Sequence, residues 1–303
     1  MKVAYGFPFH EAPPSPDLLV GQNLCDLAIL AEEAGFHAAW LTEHPAPAQA
    51  WREQGGHDAL DPFVGLALVA AATTTLRLLT YLAVVPYRNP FLLAKSVASL
   101  DVLSGGRVEL GMGAGYMKTE FRALGVDFDQ RNLLFDEALE VMKLAWTAEP
   151  MSYEGTGVSA RNVTAFPAPA QSPHPGLWFG GNSRLTMRRV VEHGRGWMPL
   201  VNTKESAKHL RSPVMESIDD LARLLEQLHE YAQQAGRTEP IEVMYWLPRA
   251  ADKEGMKAHL ELAEAAAGLG VTWLVVNGEG KTAQEAKTFI AQYHDHVIQH
   301  LGT

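Results

Sequence analysis

Apolar positions along the chain switch between two periods. Short runs rich in β-branched and aromatic residues alternate with longer stretches in which apolar side chains recur every three or four positions, the spacing of one helix face. Residues 3–7 and 36–42 read as strands, with a helix over 17–34 between them that Gly35 stops. A helix over 62–73 leads into a third strand at 76–85. Pro90 opens the next helix, Ser104 to Gly106 close it, and RVELGMG from Arg107 reads as a fourth strand. The second half repeats the alternation, with helices predicted at 132–148, 183–193, 217–235, 254–267 and 283–300 and strands at 177–181, 196–201, 241–247 and 271–277. Eight β/α units with no linker are the content of a (β/α)8 TIM barrel filling 1–303 as a single domain, whose site lies at the C-terminal ends of the strands. A doubly wound sheet is the alternative. Two segments fall outside the repeat, 45–61 and 151–175, and long loops of this kind usually act as lids or binding loops. In a barrel both are insertions at the C-terminal face.

Composition narrows the class. Of 303 residues, 47% are hydrophobic and 20% charged, as in a globular enzyme. The 35 acidic residues against 25 basic ones give a net charge of −10, which argues against a nucleic-acid partner. The one cysteine, Cys25, sits in an apolar helical pattern and forms no disulfide framework, so a reducing cytoplasm is the expected location. The N-terminal apolar run is cut by Pro8 and His10, and the longest uncharged stretch, 62–76, is shorter than the ~20 residues a membrane-spanning helix needs. Neither export nor a membrane is expected.

The run GMGAG raises the question of a nucleotide loop. Its spacing is Gly111-x-Gly113-x-Gly115 with Tyr116 where a Rossmann loop keeps its third glycine, so a dinucleotide fingerprint is excluded. What remains is a glycine-rich strand end, either a close approach for a flat ligand or a tight barrel corner. Further on, Gly180, Gly181, Asn182 and Ser183 join a strand to a helix start, where backbone N–H groups and the helix dipole favour a phosphate; an ordinary capped turn is the alternative.

The wider stretch LDVLSGGRVELGMGAGY, followed by TEFRALGVDFDQR and DEALEVMKLAW, closely resembles the bacterial-luciferase-like oxidoreductases that use flavin or deazaflavin. WFGGNSRLTMRRVVEHGRGWMP looks like that family's fifth-strand phosphate loop, helix and following strand. The family divides into users of FMN and of the deazaflavin coenzyme F-420, and TEHPAPAQAWREQGGH and VVPYRNPFLLAKSVASLD resemble the second branch. The resemblance implies a barrel that moves hydride between the coenzyme's C5 carbon and a small-molecule substrate, usually as a homodimer. The rivals are an FMN-dependent monooxygenase that activates oxygen and a noncatalytic cofactor-binding barrel.

Carried over residue by residue, the resemblance puts His44 and Trp51 beside the redox carbon. His44 also has the chemistry for it, since imidazole titrates near neutrality and can exchange a proton with a substrate oxygen. Its neighbour Glu43 points to the opposite face of an extended chain. Relatives that oxidise sugar phosphates keep a glutamate just after the glycine loop; here Tyr116 stands there, and Trp51 lies further from His44 than its counterpart, so sugar-phosphate oxidation is not expected. Tyr116 remains a candidate proton donor or ring-packing residue. Family members often carry a non-proline cis peptide in the third strand; the resemblance implies one within Thr80 to Ala83, with Tyr81–Leu82 the favoured bond, and makes Thr80, Tyr81 and Leu82 part of the ring support. Arg161, Arg184, Arg188 and Arg189 are candidates for the coenzyme's anionic tail, or a solvated face. Trp246 and Arg249 end the seventh strand and are candidate pocket residues. His296 and His300, one helical turn apart, lack a third ligand, so no metal site is expected.

Overall fold

The strands form where the apolar runs place them. In the computed structural model, which describes residues 1–210 and 212–301 and the side chains of all of these but 208–210, they are β1 (Lys2–Gly6), β2 (Ala38–Leu41), β3 (Arg77–Thr80), β4 (Ala83–Val84), β5 (Val108–Gly113), β6 (Met151–Glu154), β7 (Ser159–Val163), β8 (Gly176–Gly180), β9 (Gly196–Met198), β10 (Glu242–Trp246) and β11 (Trp273–Asn277). All but β6 and β7 pair in parallel in one ring, β3-β2-β1-β11-β10-β9-β8-β5-β4, which β3 closes by pairing with β5. Since β3 and β4 are two pieces of one barrel strand, this is a closed eight-stranded (β/α)8 barrel and not a doubly wound sheet.

Both faces of the strands are buried, which is why they read as nearly unbroken apolar runs. Val3 and Tyr5 of β1 pack outward against the helices, while Ala4 between them joins Trp40, Leu79, Trp178, Met198 and Trp273 inside the barrel. The helices start at capped positions. Asp61 accepts from the Phe63 and Val64 N–H groups and Asn89 from that of Phe91, each just before a proline that fits the first helical turn. No helix among the described residues is long and apolar enough to cross a membrane.

The N-terminal end of the barrel is closed by paired charge. Glu109, fully buried, faces Arg77 at 2.6 Å and Arg195 at 3.2 Å and accepts from the Trp178 indole at 2.7 Å. Glu242 accepts from Arg195 at 2.6 Å and from the Trp273 indole at 2.8 Å.

Five segments differ from the sequence reading. The third strand is interrupted after Thr80 by a cis peptide between Tyr81 and Leu82, the bond the resemblance singled out, and the chain rejoins β5 as β4. The two segments expected as loops hold order of their own, a short helix at Gln49–Glu53 and the antiparallel hairpin β6–β7. A further short helix, Lys118–Ala123, follows β5. The last helix ends at His296, and Ile298–His300 is a separate 3-10 turn, so His296 and His300 do not share a helix face.

Candidate active site

The C-terminal ends of the strands surround a cavity of about 1200 Å³. Pockets for single small ligands usually span ~300–1000 Å³, so there is room for a cofactor and a substrate together.

His44 enters this cavity just past β2, its side chain 8% exposed. Its Nδ1 lies 3.2 Å from the carboxylate of Glu120, which is buried and also accepts from the Tyr87 hydroxyl at 2.9 Å and the Ala46 N–H at 3.2 Å. A carboxylate only accepts, so these partners assign a proton to Nδ1, and in the neutral imidazole the lone pair is then on Nε2. The contact is an ion pair only when the imidazole is protonated at both nitrogens. Burial and Glu120 together push the Tyr87 phenol up, so it stays protonated and keeps donating to that carboxylate. Sequence reasoning missed Glu120. It stands in the TEF segment that carried part of the family resemblance, but nothing in its spacing from His44, 76 positions earlier, predicts contact.

Three rings surround that imidazole. Trp51 lies 4.7 Å from it between centroids, His57 5.1 Å and Tyr116 6.1 Å. Gly55, with a φ of +89°, and Gly56, where a Cβ would lie 2.4 Å from the Trp51 ring, let the chain fold back so that His57 packs on Trp51 at 5.3 Å. His57 and Tyr116 line the cavity, whereas Trp51 stands behind them. The longer spacing of Trp51 from His44 is thus taken up by the short helix Gln49–Glu53. Burial and then the neighbouring His44 hold the His57 imidazole down to about 4, so it is neutral at pH 7. Burial and Glu120 push the Tyr116 phenol up to about 12, so it is a donor there. Glu43 turns away, as the alternation of an extended chain requires: it accepts from the Val84 N–H at 2.6 Å and from Arg88, tying β4 to β2.

The glycines serve the protein's own packing first. A Cβ at Gly111 would lie 2.0 Å from the Thr80 carbonyl oxygen, and Thr80 donates its hydroxyl to the Gly111 carbonyl at 2.7 Å; neither lines the cavity, so both hold β3 to β5 behind its wall. Gly113 and Gly180 do line it, and the space their missing Cβ atoms leave is occupied by Leu82, which would lie 3.0 Å and 2.3 Å from them. Gly115, with a φ of +78°, packs against Val84 and Phe121. The surface presented to a flat ligand is therefore the side chain of Leu82, held across the ends of β5 and β8. Below it, Tyr81 packs with Trp40 and Trp246 at 5.2 and 5.8 Å, and the buried Tyr81 hydroxyl and Trp246 indole N–H have no hydrogen-bond partner.

Three strands round the barrel, the turn after β8 also faces the cavity. Two of the N–H groups expected to be free are used: Gly181 donates to the Met198 carbonyl at 3.1 Å and Asn182 to the Ser212 hydroxyl at 3.2 Å. The Asn182 side chain braces the Leu200 and Pro213 carbonyls, and Ser183 caps the helix Arg184–His193 through the Thr186 N–H. That helix start, with the Ser183 and Thr186 hydroxyls on the cavity wall, is what this side offers an anion. Of the arginines expected to meet a tail, only Arg189 lines the cavity, and it is bound to Asp136 at 2.6 Å; Arg161, Arg184 and Arg188 are exposed.

Residues 1–296 match the luciferase-like monooxygenase family, to which the chain belongs. It is 31% identical over 221 residues to an uncharacterized protein of Mycobacterium tuberculosis, covering 69% of this chain and 74% of that one. An F420-dependent glucose-6-phosphate dehydrogenase of Intrasporangium calvum is 26% identical over 305 residues, 92% of this chain and 88% of that one. The solved structure of the monooxygenase RslO1 from Streptomyces bottropensis superposes with a TM-score of 0.77 at 22% identity, covering 100% of both chains.

Proposed function

We propose that this chain is an oxidoreductase that holds coenzyme F-420 over Leu82 and exchanges hydride between the coenzyme and an organic substrate. The coenzyme supplies a hydride-carrying carbon where a flavin has nitrogen, which suits hydride transfer and not oxygen activation. Everything else falls to the chain's own groups. Leu82 would support one face of the ring, and the start of helix Arg184–His193 with the Ser183 and Thr186 hydroxyls would hold the phosphate. The unpartnered Tyr81 and Trp246 donors lie beneath, at a floor that a polar ring edge would complete. His44 accepts the substrate proton at Nε2 in the oxidising direction and returns it in the other, while Glu120 keeps Nδ1 protonated. Tyr116 donates to the substrate oxygen.

The observation that carries this reading is the His44–Glu120 pair at the mouth of a cavity whose floor is the Tyr81–Leu82 bulge. The cofactor choice draws on the similarity to the F420-dependent relative along nearly the whole chain. An FMN-dependent monooxygenase is the second reading, favoured by the family description and by the likeness to RslO1. Titration of the purified protein with F-420 and with FMN, followed by fluorescence quenching, separates the two. Saturable binding of F-420 is expected; binding of FMN alone, with oxygen consumed on turnover, would overturn the first reading.

In the same reading the chain is one cytoplasmic domain that pairs with a second copy. The helix Pro62–Ala72 is apolar on nearly every face, with Val64 71% and Leu68 38% exposed, and Leu92 nearby is 68% exposed. Sedimentation of wild type as a dimer and of Val64→Glu as a monomer is the expected result.

A further inference from the structure

We propose that the turn Asn277-Gly278-Glu279 builds a recognition subsite for a neutral carboxamide on the cavity wall, with Asn277 and His10 as the groups that bond it. As a subsite for the substrate it rests on the oxidoreductase reading; the binding itself does not.

Three consecutive residues at the end of the last strand each place one polar group. Trp273 and Val275 of β11 point into the barrel, and Asn277, two positions further on, shares their face. In the ring β11 stands opposite β5, with β1, β2 and β3/β4 between them on one side and β10, β9 and β8 on the other, so Asn277 faces Gly113 and Leu82 across the cavity. It is 6% exposed, and its side-chain amide makes no hydrogen bond among the described residues. The Gly278 carbonyl accepts from Nε2 of His10 at 2.6 Å. Glu279 accepts from Nε of Arg249 at 2.7 Å and from its Nη2.

The donors and acceptors decide the ligand. A carbonyl only accepts, so Gly278 assigns a proton to Nε2 of His10 and leaves Nδ1 of the neutral ring an acceptor; burial holds that imidazole below its ordinary value. Asn277 adds one acceptor and two donors. A carboxamide fits this mixture: its oxygen accepts from Asn277 Nδ2, and its N–H groups donate to Asn277 Oδ1 and His10 Nδ1. A carboxylate brings acceptors alone and would set one against the Nδ1 lone pair. It also meets no surplus of positive charge, since Arg249 is matched by Glu279 and Lys281 by Glu11 at 2.8 Å. The other arginines on the cavity wall stand on the phosphate side, where Arg189 is held by Asp136 and donates to the Asn132 carbonyl, next to Arg131, which lies over the Phe128 ring at 4.1 Å. Thr42, two residues before His44, adds a neutral hydroxyl to the wall. His57 feels the charge of both His44 and His10, so the subsite and the proton-handling group are neighbours across it. Phe7 and Phe9, stacked at 6.3 Å between centroids on the loop that carries His10, suit an aryl amide.

The test is calorimetric titration of the full chain at pH 7 with benzamide, benzoate and acetophenone, which share a ring and differ in the polar group, on protein both free of cofactor and saturated with F-420 or FMN. Benzamide is expected to bind at least ~10-fold more tightly than either of the others. Asn277→Leu, similar in size and without polar atoms, is expected to weaken benzamide about 10-fold and to leave acetophenone within about twofold. His10→Phe, which keeps a ring and removes the acceptor, is expected to weaken benzamide in the same sense. Benzoate or acetophenone binding as tightly as benzamide, no saturation by benzamide, or wild-type benzamide affinity in either variant overturns the proposal. Should one variant fail to fold, the other and the wild-type ranking decide. Failure of the oxidoreductase reading shows separately, as binding of neither cofactor, because the ranking is measured in cofactor-free protein too.

Discussion

The two ends of the barrel treat their polar groups in opposite ways. At the N-terminal end the Trp178 and Trp273 indoles are satisfied by Glu109 and Glu242, and those carboxylates in turn hold Arg77 and Arg195. At the C-terminal end the Trp246 indole and the Tyr81 hydroxyl are buried with nothing to bond, and His44 has its Nδ1 committed and its Nε2 open to a cavity. A closed network stabilises the fold. Buried groups left open cost stability unless something else completes them, and of those among the described residues Tyr81 and Trp246 are the two whose residues line the cavity.

If that division is right, substitutions at the two ends have opposite signatures. His44→Ala is expected to lower turnover by about 10²- to 10⁴-fold, the usual contribution of a positioned acid or base, and to shift unfolding free energy by less than about 1 kcal/mol. Cofactor affinity should hold within about threefold. Steady-state kinetics, denaturant titration and cofactor quenching check the three parts. Glu109→Ala is expected to do the reverse. Removing the buried carboxylate strands Arg77, Arg195 and the Trp178 indole, at a cost of about 3–5 kcal/mol in urea unfolding, while the folded fraction binds cofactor as wild type does. Loss of cofactor affinity in folded Glu109→Ala protein would erase the division.

A finer test falls inside the upper end. In Glu120→Gln one amide cannot accept from His44 and the Tyr87 hydroxyl on one side and from the Ala46 N–H on the other. Turnover is expected to fall about 10- to 100-fold, with kcat affected more than KM. The smallest effect is on acid stability. His57 stays neutral in the folded protein down to about 4, while in the unfolded chain it protonates near 6.5. Between those values the unfolded chain binds more protons, so the stability present above 6.5 is lost as the pH falls toward 4. His57→Gln should remove that loss, and its denaturant midpoint should drop less than wild type's from pH 7 to pH 5, by the equivalent of about 1–2 kcal/mol.

Much of the barrel frame was legible in the sequence because it depends on local pattern. The eight apolar runs and the helix that Pro90 opens are short-range signals, and the eight barrel strands form within those runs. The upper end was legible only in part. His44, Tyr116, Leu82 and the cis Tyr81–Leu82 bond came from motif resemblance. Glu120 and His57 did not, because their approach to His44 depends on a helix after β5 and on the Gly55-Gly56 reversal, neither of which has a periodicity to read. The glycines show a packing role the sequence did not: a Cβ at Gly111, Gly113 or Gly115 would meet Thr80, Met198, Leu82, Val84 or Phe121, while Gly113 and Gly115 also line the cavity.

The proton transfer assigned to His44 depends on which of its nitrogens is left open, and long-range ¹H–¹⁵N correlation spectra of the histidine side chains measure that directly, without a substrate. Assigned by its loss in His44→Ala, the wild-type signal of the neutral imidazole is predicted to show a protonated Nδ1 and an unprotonated Nε2, with Glu120→Gln shifting the balance toward the other tautomer. A wild-type His44 protonated at Nε2 alone, unchanged in Glu120→Gln, would contradict it.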